Sequence, residues 1–153
     1  MTVRKTILLV EDNPDDEELT LRALNEQDLS ADIIVARDGE EALNYLFGAE
    51  KSEYERRMLP QVVLLDLKLP KLNGLDVLKQ IRSNPRTRYL PVVVMTSSNE
   101  EKDIRTSFDL GANSYVRKSI EYHRLIQEIQ QIAAYWVMLN QMPPSEGQIA
   151  VKR

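Results

Sequence analysis

Residues 62–66 read Val-Val-Leu-Leu-Asp, four apolar residues in succession and then an acid. A strand with one face in water alternates apolar and polar side chains. A run without alternation has no wet face, and is expected inside a parallel sheet covered by helices on both sides. The same signal recurs at residues 7–10 and 92–95, with shorter or weaker runs at 33–35 and 114–116. Five such runs limit the architecture more than any compositional total does.

The segments between the runs carry helical spacing. Asn13 is placed to cap a helix that begins with Pro14, and the acids at 15–18 suit the positive end of its dipole and its solvent face. Leu19, Ala23 and Leu24 give this helix an inner side. Asp38 opens a second, with Ala42, Leu43 and Leu46 inward. Leu75, Leu78 and Ile81 serve a third after Gly74, and Ile104 and Phe108 a fourth closed by Gly111. Leu125, Ile129, Ile132, Ala133 and Trp136 mark a long fifth. Strands alternating with helices predict an α/β fold, a doubly wound five-stranded parallel sheet with five helices and right-handed crossovers. Residues 49–60 form a longer polar connection. The domain is expected over residues 1–139. Residues 140–153, with Pro143, Pro144 and Gly147, read as a loose tail too short for an output domain.

Composition removes several function classes. Among 153 residues there is no cysteine, which excludes disulfides, thiolate nucleophiles and Cys-type zinc sites. His123 is the only histidine, so a multi-histidine metal site within one chain is excluded, and no role is expected for it. A net charge of −4 argues against nucleic acid or an anionic membrane as partner. The apolar run near the N-terminus is too short for a signal peptide, and none approaches the roughly 20 residues of a membrane span. A cytoplasmic location is expected.

In open α/β sheets, ligands sit outside the carboxyl ends of the strands. Glu11 and Asp12 follow the first run, Asp66 the third, Thr96 and Ser97 close the fourth, and Lys118 follows the fifth. The topology would bring three carboxylates, a hydroxyl and an ammonium to one rim. Clustered carboxylates repel, and a hard divalent cation relieves the repulsion. Mg2+ prefers oxygen ligands and keeps positions for water and phosphate, so Glu11, Asp12 and Asp66 suit an open Mg2+ site. Asp66 could then act as a nucleophile and form an acyl phosphate. Lys118 would supply a second positive centre, and the Thr96 hydroxyl a donor to a phosphoryl oxygen.

This combination resembles the receiver domain of two-component response regulators. The likeness rests on the pair Glu11–Asp12, the block LLDLKLPKLNGLDVL around Asp66, PVVVMTS with Thr96 and GANSYVRK with Lys118, and covers about residues 5–139. The resemblance implies a strand order of 2-1-3-4-5 and phosphorylation of Asp66 by a phosphohistidine on a sensor histidine kinase. It implies that Asp12, Asp66 and the main-chain carbonyl of Lys68 bind Mg2+ directly, with Glu11 acting through a metal-bound water. It implies that Thr96 turns toward the phosphoryl group while Tyr115 swings inward as a switch aromatic. Ser119 stands where the family usually has proline after the lysine, and a cis bond there would cost about 2.5–4 kcal/mol, so cis is not assumed. The long loop before Pro60, the Lys-Ser pair and the tryptophan-containing last helix are similar to the small stand-alone regulators that serve cyanobacterial phytochromes and related kinases.

Without an output domain, a signal would leave by protein contact, with no enzyme activity beyond slow self-phosphorylation and self-hydrolysis. Tyr135, Val137 and Met138, beside Trp136, read as a second apolar stripe off the buried face. They suggest a homodimer through the fourth helix, fifth strand and fifth helix. A flavin carrier of the same topology is a rival, but EDNPDDEE after the first strand would repel phosphate. A Mg2+-dependent phosphatase would carry an acid two residues after the nucleophile, where this chain has Lys68. A metal-free scaffold is disfavoured by intact Asp66, Thr96 and Lys118.

Overall fold

The computed structural model describes residues 4–48 and 58–143. Strands β1 (Lys5–Val10), β2 (Ala31–Ala36), β3 (Val62–Leu65), β4 (Val92–Thr96) and β5 (Ser114–Arg117) form one parallel sheet. Their order is β2-β1-β3-β4-β5, as expected. Helices α1 (Pro14–Asn25), α2 (Gly39–Phe47), α3 (Gly74–Ser83), α4 (Glu101–Asp109) and α5 (Tyr122–Ala133) connect and cover the strands. Most of the polar connection at 49–60, and the tail from residue 144 on, lie outside the described residues.

The non-alternating runs are dry on both faces. Leu8, Val10, Val63, Leu65, Val92 and Val94 pack with Ala42 and Leu46 of α2 and Val77, Leu78 and Ile81 of α3. Ile7, Leu9, Val62, Leu64, Val93 and Met95 pack on the other side with Ala23 and Leu24 of α1 and Leu125, Ile129 and Ala133 of α5. Burying each such side chain contributes roughly 1.5–3 kcal/mol, which outweighs any local preference of these short runs. The edge strand β5 is only half-buried, in keeping with its weak signal.

The helix starts follow the expected chemistry. Asn13 accepts hydrogen bonds from the Asp15 and Asp16 amides at 2.9 and 3.1 Å, and Asp38 accepts from Glu41 at 2.8 Å. Asn73 accepts from the Asp76 amide at 3.0 Å, so α3 begins at Gly74 rather than after it. A β-carbon at Gly74 would overlap the Asp66 carbonyl, so only glycine lets α3 approach the end of β3 this closely. Gly111 follows α4 with φ +100°, the left-handed cap expected of it.

Two expectations are corrected. Phe108 is half exposed, and the buried residue of α4 is Ser107. The inner stripe runs through Ile104 and Ser107, three apart, which lets a small side chain face the sheet. Val137 belongs to the core and is 1% exposed, not to an outer stripe. Along a continuous α-helix Val137 would lie about 120° from Leu125. Instead α5 runs into a π-helical turn, Ala134–Leu139, closed by the Asn140 amide on the Tyr135 carbonyl at 2.8 Å. The wider turn rotates Val137 back toward the side of Leu125 and Ile129. Trp136 is half-buried against the same cluster, while Tyr135 and Met138 are exposed.

Candidate functional site

The parallel register levels the strand ends. Val10 lies opposite Leu65 and Leu65 opposite Val94, so Glu11 and Asp66 leave the sheet side by side. The Asp66 amide donates to the Val10 carbonyl at 3.1 Å, and the Lys118 amide to the Thr96 carbonyl at 2.8 Å. Each ladder thus continues one step past its strand and holds a functional residue at the rim.

Lys118 is the hub. Its Nζ donates to Glu11 Oε1 at 2.7 Å, to Asp16 Oδ2 at 2.9 Å and to Asp66 Oδ2 at 2.9 Å. The other Asp66 oxygen, Oδ1, accepts from the Lys68 amide at 3.1 Å. Glu11 Oε2 accepts from the Asn13 amide at 3.2 Å. Burial pushes the Glu11 carboxyl up to about 7, against the opposing pull of Lys118. Burial alone would lower Lys118. The hydrogen bond to Glu11, the charge of Asp66 and the hydrogen bond to Asp16 overcome it and hold the ammonium above the ordinary lysine range. A cation is therefore kept charged in a place that is nearly dry.

Oxygens of Glu11, Asp12 and Asp66 all lie within 4.8 Å of one another. Asp12 is exposed while Glu11 and Asp66 are buried, which leaves this group open on one side. Oxygen donors alone, with an open side, match what a hard divalent cation takes. The Thr96 hydroxyl is fully buried and has no hydrogen-bond partner among the described residues. Tyr115 is half-buried, with its hydroxyl donating to the Ser98 carbonyl at 2.9 Å, and burial raises its pKa. Among the described residues no peptide bond is cis, so Lys118–Ser119 is trans.

Two participants were not expected. Asp16, read as a residue of the helix start and solvent face, turns to Lys118. The signal was present in the period: Asp16 lies one turn before buried Thr20, on the inner side of α1. Ser98 is buried and ties the loop after β4 in two ways. Its hydroxyl donates to Asp103 Oδ2 at 2.6 Å and accepts from the Glu100 amide at 3.2 Å. Its neighbour Ser97 is exposed.

No helix among the described residues is long and apolar enough to cross a membrane. A family model, the response regulator receiver domain, matches residues 7–130. Response regulator Rcp1 of Synechocystis sp. is 37% identical over 139 residues, 91% of this chain and 93% of that relative. The crystal structure of the phosphorylated cyanobacterial phytochrome response regulator RcpA is similar at a TM-score of 0.83 and 38% identity, covering 93% of this chain and 100% of that one. The Mn2+-bound form of Rcp1 is similar at 0.81 and 37% identity, covering 92% and 99%.

Proposed function

The chain belongs to the response regulator receiver domain family of two-component signalling, and from that premise we propose that Asp66 is its phosphoacceptor. The observation that carries this reading is the Lys118 ammonium 2.9 Å from Asp66 Oδ2, at an edge where Asp66 also meets Glu11 and Asp12. In the transfer, the P–N bond of a phosphohistidine on a sensor histidine kinase breaks and an O–P bond to the Asp66 carboxylate forms. The electron pair stays on the imidazole nitrogen, which takes up a proton. Lys118 turns from the carboxylate to a phosphoryl oxygen. Thr96 brings an unused donor to another.

Asp12, Asp66 and the Lys68 carbonyl would hold Mg2+, with Glu11 reaching it through water. Bound there, the cation neutralises charge on the phosphoryl oxygens. The Mn2+-bound form of Rcp1 supports a divalent ion, and the all-oxygen donor set favours Mg2+. Lys68, in place of a second acid after Asp66, supports slow self-hydrolysis rather than catalytic turnover. The similarity to Rcp1 and RcpA favours a phytochrome-type kinase as donor. For Tyr135 and Met138, exposed beside half-buried Trp136, contact with a second copy through α4, β5 and α5 is the reading we carry forward, without Val137.

The acceptor is tested by incubating the protein with Mg2+ and a small phosphodonor such as phosphoramidate, followed by mass spectrometry. One labile phosphoryl group on Asp66 is expected, absent in Asp66→Asn. Label on another residue, or many turnovers of donor, would overturn the reading. Sedimentation at micromolar concentration, with and without the phosphoryl group, tests the dimer.

A further inference from the structure

We propose that Asp16 is a positioning residue that limits how much of the Lys118 charge reaches the phosphoryl group. The inference rests on Asp66 as acceptor. An ammonium has three N–H donors and no acceptor. In this structure the Lys118 Nζ has three carboxylate partners, Glu11, Asp16 and Asp66, at 2.7, 2.9 and 2.9 Å. Asp66 gives up its contact when it carries a phosphoryl group, because a phosphoryl oxygen takes the place of Oδ2. Asp16 has no such exchange to make. It does not belong to the carboxylate group of Glu11, Asp12 and Asp66, and it sits in the first turn of α1 while they lie in the loops after β1 and β3.

The placement of Asp16 is built rather than incidental. Its own amide is held by the Asn13 cap at 3.1 Å, which fixes the first turn of α1 against the rim. Its side chain is 35% exposed, against 13% for Lys118, so water screens the pair only in part. An anion held 2.9 Å from Nζ offsets part of the field that Lys118 projects toward its other neighbours. Asp16 thus weakens the grip of Lys118 on an anion. By the same charge, it strengthens the site's attraction for a cation.

Removing that charge should move the two affinities in opposite directions, which mere loosening of the fold cannot do. The test titrates full-length wild type, Asp16→Asn and Asp16→Glu with Mg2+ by calorimetry, then with beryllofluoride at saturating Mg2+ by fluorine NMR. Asp16→Asn should bind beryllofluoride about three- to tenfold more tightly and Mg2+ about twofold more weakly. Asp16→Glu keeps the charge and should return both values toward wild type. Anion affinity in Asp16→Asn that is unchanged, or reduced along with that for Mg2+, would overturn the role given to Asp16 while leaving Asp66 as acceptor. A wild type that takes up no beryllofluoride would overturn the acceptor assignment and this inference with it.

Discussion

Thr96 is fully buried, and its hydroxyl oxygen lacks a partner among the described residues. A donor left unmet in a dry place costs about 1–3 kcal/mol, and the cost is recovered when a partner arrives. Thr96→Val removes the hydroxyl and nearly keeps the shape. In the resting protein it should raise stability by about 1 kcal/mol in urea unfolding, while lowering the affinity for beryllofluoride. A loss of resting stability would mean that the hydroxyl is satisfied. Lys118 poses the converse case. Lys118→Ala leaves Glu11 and Asp66 buried without their ammonium, and breaking such a pair costs about 3–5 kcal/mol. Bound at the proposed site, Mg2+ would replace the lost charge. Thermal melts with and without MgCl2 should therefore show a larger Mg2+ gain in Lys118→Ala than in wild type. Of these residues, Thr96 and Lys118 were legible from their place at strand ends. Asp16 was not, because a first-turn acid satisfies the helix dipole equally well whether it faces water or the rim.

At the scale of elements, the central strands were legible because burial on both faces leaves no room for alternation. The caps at Asn13 and Asp38 were legible because each supplies a bond the helix lacks, whereas those at Asn73 and Glu121 are seen only in the structure. Asn73→Ala removes the acceptor for the Asp76 amide at the start of α3, and should cost about 1 kcal/mol in urea unfolding. Glu121 caps α5, accepting from the His123 and Arg124 amides at 3.1 and 2.8 Å, and these bonds hold its carboxyl below the usual range. A carboxyl lowered in the folded state stabilises above its unfolded pKa and loses that contribution as pH falls through the folded value. Wild type should therefore exceed Glu121→Ala in urea midpoint at pH 7, and the gap should close below its ordinary value of 4.5. A gap that widens in acid would contradict the capping role. The face of α4 was misread for a reason of the same kind. Ile104 and Phe108, four apart, fit an inner stripe as well as Ile104 and Ser107, three apart. Only the close approach of α4 to β5 and α3 selects the smaller side chain.

Across the whole molecule, the sheet divides the core into two layers, and the layer under α1 and α5 depends on how the chain leaves α5. Two side-chain amides tie the helices there: Gln27, just past α1, donates to the Gln130 carbonyl at 2.9 Å, and Gln130 donates to the Ala23 carbonyl of α1 at 3.0 Å. Beyond them the π turn returns Val137 to the core and aims the Val137 carbonyl at Lys5 Nζ, 2.8 Å away at the first residue of β1. The sequence could not announce this turn, since an i→i+5 closure is chosen by what Val137 and Lys5 can reach rather than by the local residues. The layer should therefore be sensitive at Val137 and indifferent one residue on. Val137→Ala removes two buried methyl groups and should cost about 2 kcal/mol within a single cooperative urea transition. Met138→Ala, at a position 62% exposed, should change the midpoint little. If Val137→Ala costs as little as Met138→Ala, Val137 lies off the buried face, where a continuous α-helix would carry it, and the π turn does not return it to the core. If instead Met138→Ala costs as much as Val137→Ala, Met138 is packed, and the contact surface assigned to Tyr135 and Met138 loses its basis.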